Sequence, residues 1–124
     1  MKKIIFLFWV SIGYSQVEYN HPELNWHTFE TEHFQIHFHD ETEMTAREAA
    51  TVAEVIYPKV TNFYNFSPKE KTHLILKDPD DYSNGAAYYY DNKIMIWASP
   101  LDFELRGSHR WLQNVITHEF VHIV

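Results

Sequence analysis

The stretch "WLQNVITHEFVHIV", residues 111–124, decides how this chain is read. Trp111, Leu112, Val115, Ile116, Phe120, Val121 and Ile123 fall at helical spacing with no glycine or proline among them. The pattern predicts a helix running from about Ser108 to the end. Its apolar groups coat the cylinder almost completely, which predicts burial. Into that coat the sequence sets His118, Glu119 and His122, an H-E-x-x-H motif. One helical turn separates the two histidines, so both rings project from one face. Such a pair can reach a single zinc ion at about 2.0–2.1 Å from each nitrogen. Glu119 is swung round by about 100°. From there its carboxylate can take a proton from a water molecule that the metal acidifies. The chemistry so encoded is metal-assisted hydrolysis of an amide. The motif is short, and the same three residues could serve as hydrogen-bonded core groups. A helix otherwise apolar makes that costly unless each polar group is paired or liganded.

Upstream, "TEHFQIHFHD" (residues 31–40) alternates strictly. Phe34, Ile36 and Phe38 point one way, and His33, Gln35, His37 and His39 the other, which predicts a half-buried strand. The histidine row reads as a solvated polar face, because local spacing fixes no acidic or thiol partner beside it. Residues 16–25 read as an extended lead-in. Residues 41–66, rich in alanine and glutamate and without glycine, predict a long helix. Its apolar face comprises Ala49, Val52, Ala53, Ile56, Val60 and Phe63, and Pro58 should kink or break it. "THLILKD" predicts a short strand, followed by a loop through Asp78, Pro79, Asp80 and Asp81. "NGAAYYYDNKIMIWASP" (residues 84–100) predicts a hairpin with arms at 86–90 and 93–97 and a turn at Asp91 and Asn92. Ser99 before Pro100, and Ser108, are helix starts. The fold class is therefore α+β, a small mixed sheet with one long helix and the H-E-x-x-H helix.

In order and pattern, "FETEHFQIHF", "NGAAYYYDNKIMIWASP" and "WLQNVITHEFVHIV" resemble the gluzincins, the thermolysin-like zinc peptidases. They resemble in particular the peptidase-MA-like proteins of exported bacterial type, which often carry a β-propeller after the protease-like part. The resemblance covers about residues 26–124, and only the H-E-x-x-H is specific. It implies a zincin-like N-terminal subdomain, Zn2+ as cofactor, His118 and His122 as metal ligands and Glu119 as general base. It also implies a glutamate on a later helix as third ligand. No histidine or acid follows His122, and Glu104 or His109 would depart from the family's order, so that ligand is expected beyond Val124. A metzincin-type continuation, with a third histidine after a glycine, stays open. The chain is accordingly expected to be the N-terminal part of a peptidase domain, inactive alone. In this class the strand before the inner one is a free sheet edge on which an extended substrate adds as another strand. Asn84, Gly85, Ala86, Ala87 and Tyr88 match it, with Gly85 and the alanines allowing close backbone approach. An ordinary hairpin is the alternative for those five residues.

Residues 1–15 carry Lys2 and Lys3, an apolar run over 4–12, and small residues at Gly13 and Ser15, the pattern of a cleaved signal peptide. The run is about half the ~20 residues that span a bilayer, so no transmembrane helix is expected. Cleavage would leave residues 16–124 and remove two lysines, taking the formal charge from −7 to near −9. That charge opposes a nucleic-acid partner. With no cysteine there is no disulfide, thiolate metal site or cysteine nucleophile in these residues, and a lipoprotein anchor at the N-terminal end is not expected. An exported protein is expected, periplasmic, outer-membrane-associated or extracellular, acting on a peptide or protein substrate. The alternative function is an inactive protease-like binding or scaffolding module beside a propeller.

Overall fold

The computed structural model describes residues 21–78, 84–97 and 110–124. The expected signal peptide (1–15), most of the lead-in, the loop at 79–83, the helix starts at Ser99 and Ser108, and Glu104 and His109 lie outside them. The described chain is α+β: a five-stranded mixed sheet and two α-helices. The strands are β1 (Trp26–Glu30), β2 (Phe34–His39), β3 (Thr72–Lys77), β4 (Asn84–Tyr88) and β5 (Lys93–Trp97). The helices are α1 (Glu43–Tyr64) and α2 (Trp111–Ile123). The sheet order is β1-β2-β3-β5-β4. Its inner pairs β2–β3 and β3–β5 are parallel, and its outer pairs β1–β2 and β4–β5 are antiparallel. No helix among the described residues is long and apolar enough to cross a membrane.

Strict alternation builds the core. Phe34, Ile36 and Phe38 on β2, Leu74 and Leu76 on β3, and Ile94 and Ile96 on β5 are all buried. They meet Ala46, Ala49, Ala50, Ala53, Ile56 and Val60 of α1 and Ile116, Phe120 and Ile123 of α2 in one cluster. Both helices therefore cover the same face of the sheet. The four buried alanines let the α1 backbone approach closely. Phe120 joins the two helices to the sheet, its ring centroid 5.4 Å from Phe34 and 5.5 Å from Tyr57. Each large apolar side chain so buried is worth about 1.5–3 kcal/mol.

Four features differ from the sequence reading. The strand β1 occupies residues 26–30, to which the sequence reading assigned no element; its aromatic and threonine residues, "WHTFE", were the available signal. The helix α1 is continuous through Pro58, which forfeits one backbone hydrogen bond without ending the helix. Phe63 is 81% exposed rather than core. A 22-residue helix is about 33 Å long, whereas strands of five or six residues span about 17–20 Å, so the last turn of α1 outruns the sheet. The hairpin arm begins at Asn84, and its connection is a short 3-10 turn over Tyr89–Asp91 closed by Asn92 at φ 46°. Asn92 ties that turn to the start of β3. Its side-chain oxygen accepts from the Thr72 hydroxyl at 2.8 Å, and its backbone carbonyl accepts from the His73 amide at 2.9 Å.

Candidate metal centre

The helix α2 sorts its residues into three sides. Ile116, Phe120 and Ile123 enter the core, and His118 and His122 are exposed. Glu119 is turned inward and only 8% exposed. The wholly buried helix expected from composition is thus corrected. Trp111, Leu112, Val115 and Val121 are only half-buried, because α2 has the sheet and α1 on one side and solvent on the other. The burial cost argued for all three motif residues falls on Glu119 alone.

His118 and His122 converge. Their Nε2 atoms are 3.2 Å apart, with ring planes at 81°. Two imidazole nitrogens at 2.0–2.1 Å from one tetrahedral ion would stand about 3.3 Å apart, so the pair fits a shared metal. Among the described residues, no third histidine or acid joins these two to make a cluster of three. The Glu119 carboxylate has no hydrogen-bond or ion-pair partner among the described residues.

The strand β4 forms the second wall. Among the described residues it ends the sheet, with β5 as its single neighbouring strand, and it packs against α2. Of the five residues expected to bind substrate, Asn84, Ala86 and Tyr88 pair with Trp97, Met95 and Lys93 and share their face of the sheet. Gly85 and Ala87 face α2 instead. A Cβ on Gly85 would lie 2.5 Å from Val115 Cγ2, 3.0 Å from Glu119 Cγ and 3.1 Å from Glu119 Oε1. The close approach at this glycine is therefore made by the helix itself. An open cleft of about 390 Å³ lies at the far end of α2, between Phe66, Tyr89, Tyr90 and Ile123; the motif residues do not line it.

The histidine row on β2 is not the solvated face that alternation alone suggests. His39 is 1% exposed, its Nε2 accepting from the Asp78 amide at 3.2 Å. His37 Nε2 pairs with His73 Nδ1 at 2.8 Å across β2–β3, and its Nδ1 meets the Thr28 hydroxyl at 2.8 Å. Burial, and then the neighbouring His73, hold the His37 pKa below the ordinary imidazole value. Just before β2, the His33 ring meets Glu54 Oε2 of α1 at 2.7 Å, and its backbone amide donates to Oε1 at 2.9 Å. Burial pushes the Glu54 pKa up, but bonds from His33 and Thr31 outweigh it and leave the carboxyl below its usual value. Glu32, His33 and Glu54 form a cluster of a size that could hold a metal ion. Both Glu54 oxygens are already taken by His33, whose ring also stacks on Tyr57 at 3.7 Å, and Glu32 is exposed. That arrangement is a clasp between strand and helix. Sequence reasoning missed it because Glu54 lies 21 residues from His33. Comparison with protein-family models, with curated proteins and with solved structures finds no match to this chain.

Proposed function

We propose that this chain carries the metal-binding and general-base half of a zinc-dependent peptidase site of gluzincin type. The observation that carries the proposal is the convergence of His118 and His122 at 3.2 Å on the helix that also carries Glu119, whose carboxylate has no partner among the described residues. His118 and His122 would hold the ion through their Nε2 atoms. A bound zinc ion supplies Lewis-acid chemistry, polarising a carbonyl and acidifying water. Glu119 accepts the proton from the attacking water and returns it to the leaving amine. No group among the described residues engages either of its oxygens, which leaves both available for that work. The open edge of β4 offers main-chain donors and acceptors to an extended peptide, which adds as a further strand. Asn84, Ala86 and Tyr88 would meet substrate side chains along that edge. The same reading includes export by residues 1–15 and a zincin-like subdomain.

Two variants separate ligand from base. His118→Ala should lower Zn2+ affinity sharply, as read by calorimetric titration, because it halves the imidazole donors. Glu119→Gln should leave the Zn2+ affinity near that of the parent and abolish peptide hydrolysis. General-base catalysis is commonly worth about 10²–10⁴-fold. The family resembled takes a third ligand from a later helix, so hydrolysis is to be assayed in a chain carrying further sequence after Val124. Equal hydrolysis by parent and Glu119→Gln would remove Glu119 as base. A zinc-loaded parent that cleaves nothing in a broad peptide library would favour the second reading, a protease-like binding module. That reading draws on the presence of only two donors among the described residues.

A further inference from the structure

The contact between β4 and α2 assigns a role to Gly85 that its place on the sheet edge does not by itself imply. We propose that Gly85 is a positioning residue for Glu119: the bare backbone at position 85 is the surface against which that carboxylate is held. The inference rests on the reading of Glu119 as general base.

Gly85 does not occupy the left-handed backbone region that only glycine enters easily, so its backbone conformation does not require a glycine. Space does. A methyl group there would come within 2.5 Å of Val115 Cγ2, closer than packed carbons approach. Val115 cannot turn away, because a β-branched side chain in a helix has essentially one χ1 rotamer. The same methyl group would press on Glu119 Cγ at 3.0 Å and Oε1 at 3.1 Å. Glu119 has no hydrogen bond among the described residues to hold it in place, so its carboxylate is the group that yields. His118 and His122 are exposed, whereas Gly85 touches the side of α2 that carries Val115 and Glu119. One substitution on the strand therefore perturbs the base and spares the metal pair.

The two contacts can be separated. Gly85→Ala creates both clashes. Gly85→Ala combined with Val115→Ala removes the clash with Val115 and keeps the pressure on Glu119. Three readouts apply to the full chain: thermal stability, Zn2+ affinity by titration, and the side-chain methylene resonances of Glu119 by NMR. Gly85→Ala should melt earlier, and the double variant should recover most of that loss. Zn2+ affinity should stay within about threefold of the parent in both. The Glu119 resonances should be displaced in both, including the double variant with its restored stability. In hydrolysis assays of the chain extended beyond Val124, kcat should fall in both with KM little changed, by less than the roughly 10²-fold that a misplacement of about 1 Å costs, because the contact displaces Glu119 by only a few tenths of an ångström. Should Gly85→Ala fail to fold, the double variant alone carries the test. Glu119 resonances at their parental positions in the double variant would overturn the proposal, as would recovery of kcat in step with stability. An extended, zinc-loaded parent that hydrolyses no peptide would end the catalytic reading, while the resonances would still decide whether Gly85 positions Glu119.

Discussion

Asn92 shows how much a single residue can fix. It adopts φ 46°, ψ 47° at the end of the turn between β4 and β5. Its side-chain nitrogen donates to the Glu70 carbonyl at 3.3 Å and the Lys71 carbonyl at 3.2 Å, and its oxygen accepts from Thr72. Asparagine is among the few residues that enter the left-handed region readily. Asn92→Ala should cost about 2–3 kcal/mol, combining lost hydrogen bonds at roughly 1 kcal/mol each with the backbone penalty. Asn92→Gly keeps the conformation and should cost clearly less. Urea unfolding of both variants checks this, and equal losses would show that the backbone conformation contributes nothing. The turn itself was legible from Asp91 and Asn92. The reach of Asn92 back to residues 70–72 was not, because those partners are some twenty positions away.

Among the elements, α2 is where sequence and tertiary structure divide most clearly. Helical periodicity and the one-turn spacing of His118 and His122 are local, and both appear as read. Which side is buried depends on where the sheet and α1 lie. That arrangement turns Glu119 inward and leaves the histidines at the surface. Phe120 fastens α2 to both, since it is fully buried between Phe34 and Tyr57. Phe120→Ala should therefore cost about 3–5 kcal/mol, comparable to the whole stability of many small domains. Phe120→Leu should cost less. Amide hydrogen exchange across 111–123 reads the outcome. Protection in Phe120→Ala equal to that of the parent would mean that α2 is anchored elsewhere.

For the molecule as a whole, acid stability follows from the paired histidines and carboxylates. His37 is held below the ordinary imidazole value of 6.5, first by burial and then by His73. His39 is likewise lowered by burial, which outweighs the opposing pull of Glu41 and Asp40. The unfolded chain thus binds protons on these groups at a higher pH than the folded chain. Their contribution is complete above about pH 6.5 and declines as pH falls from there toward the lowered folded values. The carboxyl of Glu54 is also lowered from 4.5, so its contribution is present above that value and is lost as pH falls through the folded one. Acidification should accordingly reduce the melting temperature in two stages, one starting below about 6.5 and one below about 4.5. Glutamine can keep a hydrogen bond to Thr28 or His73 but does not titrate. His37→Gln should therefore shrink the first stage and leave the second. An unchanged first stage would place its origin in other groups.

The sequence by itself determined the periodic features. These are the alternation of β2, the long α1, the hairpin of β4 and β5, and the one-turn spacing of the histidine pair. Each depends on residues within a few positions of one another, where helix and strand geometry act directly. The tertiary structure alone decided the sheet order, which places β4 at the edge and against α2. It decided that Gly85 faces Glu119, that His37 pairs with His73, and that His33 is clasped by Glu54. It also decided that Phe63 lies beyond the core. In each case the partner is distant along the chain, or the outcome depends on where a neighbouring element ends. Such contacts arise only when the apolar faces of the helices close on one face of the sheet, and local periodicity carries no record of which residues then meet.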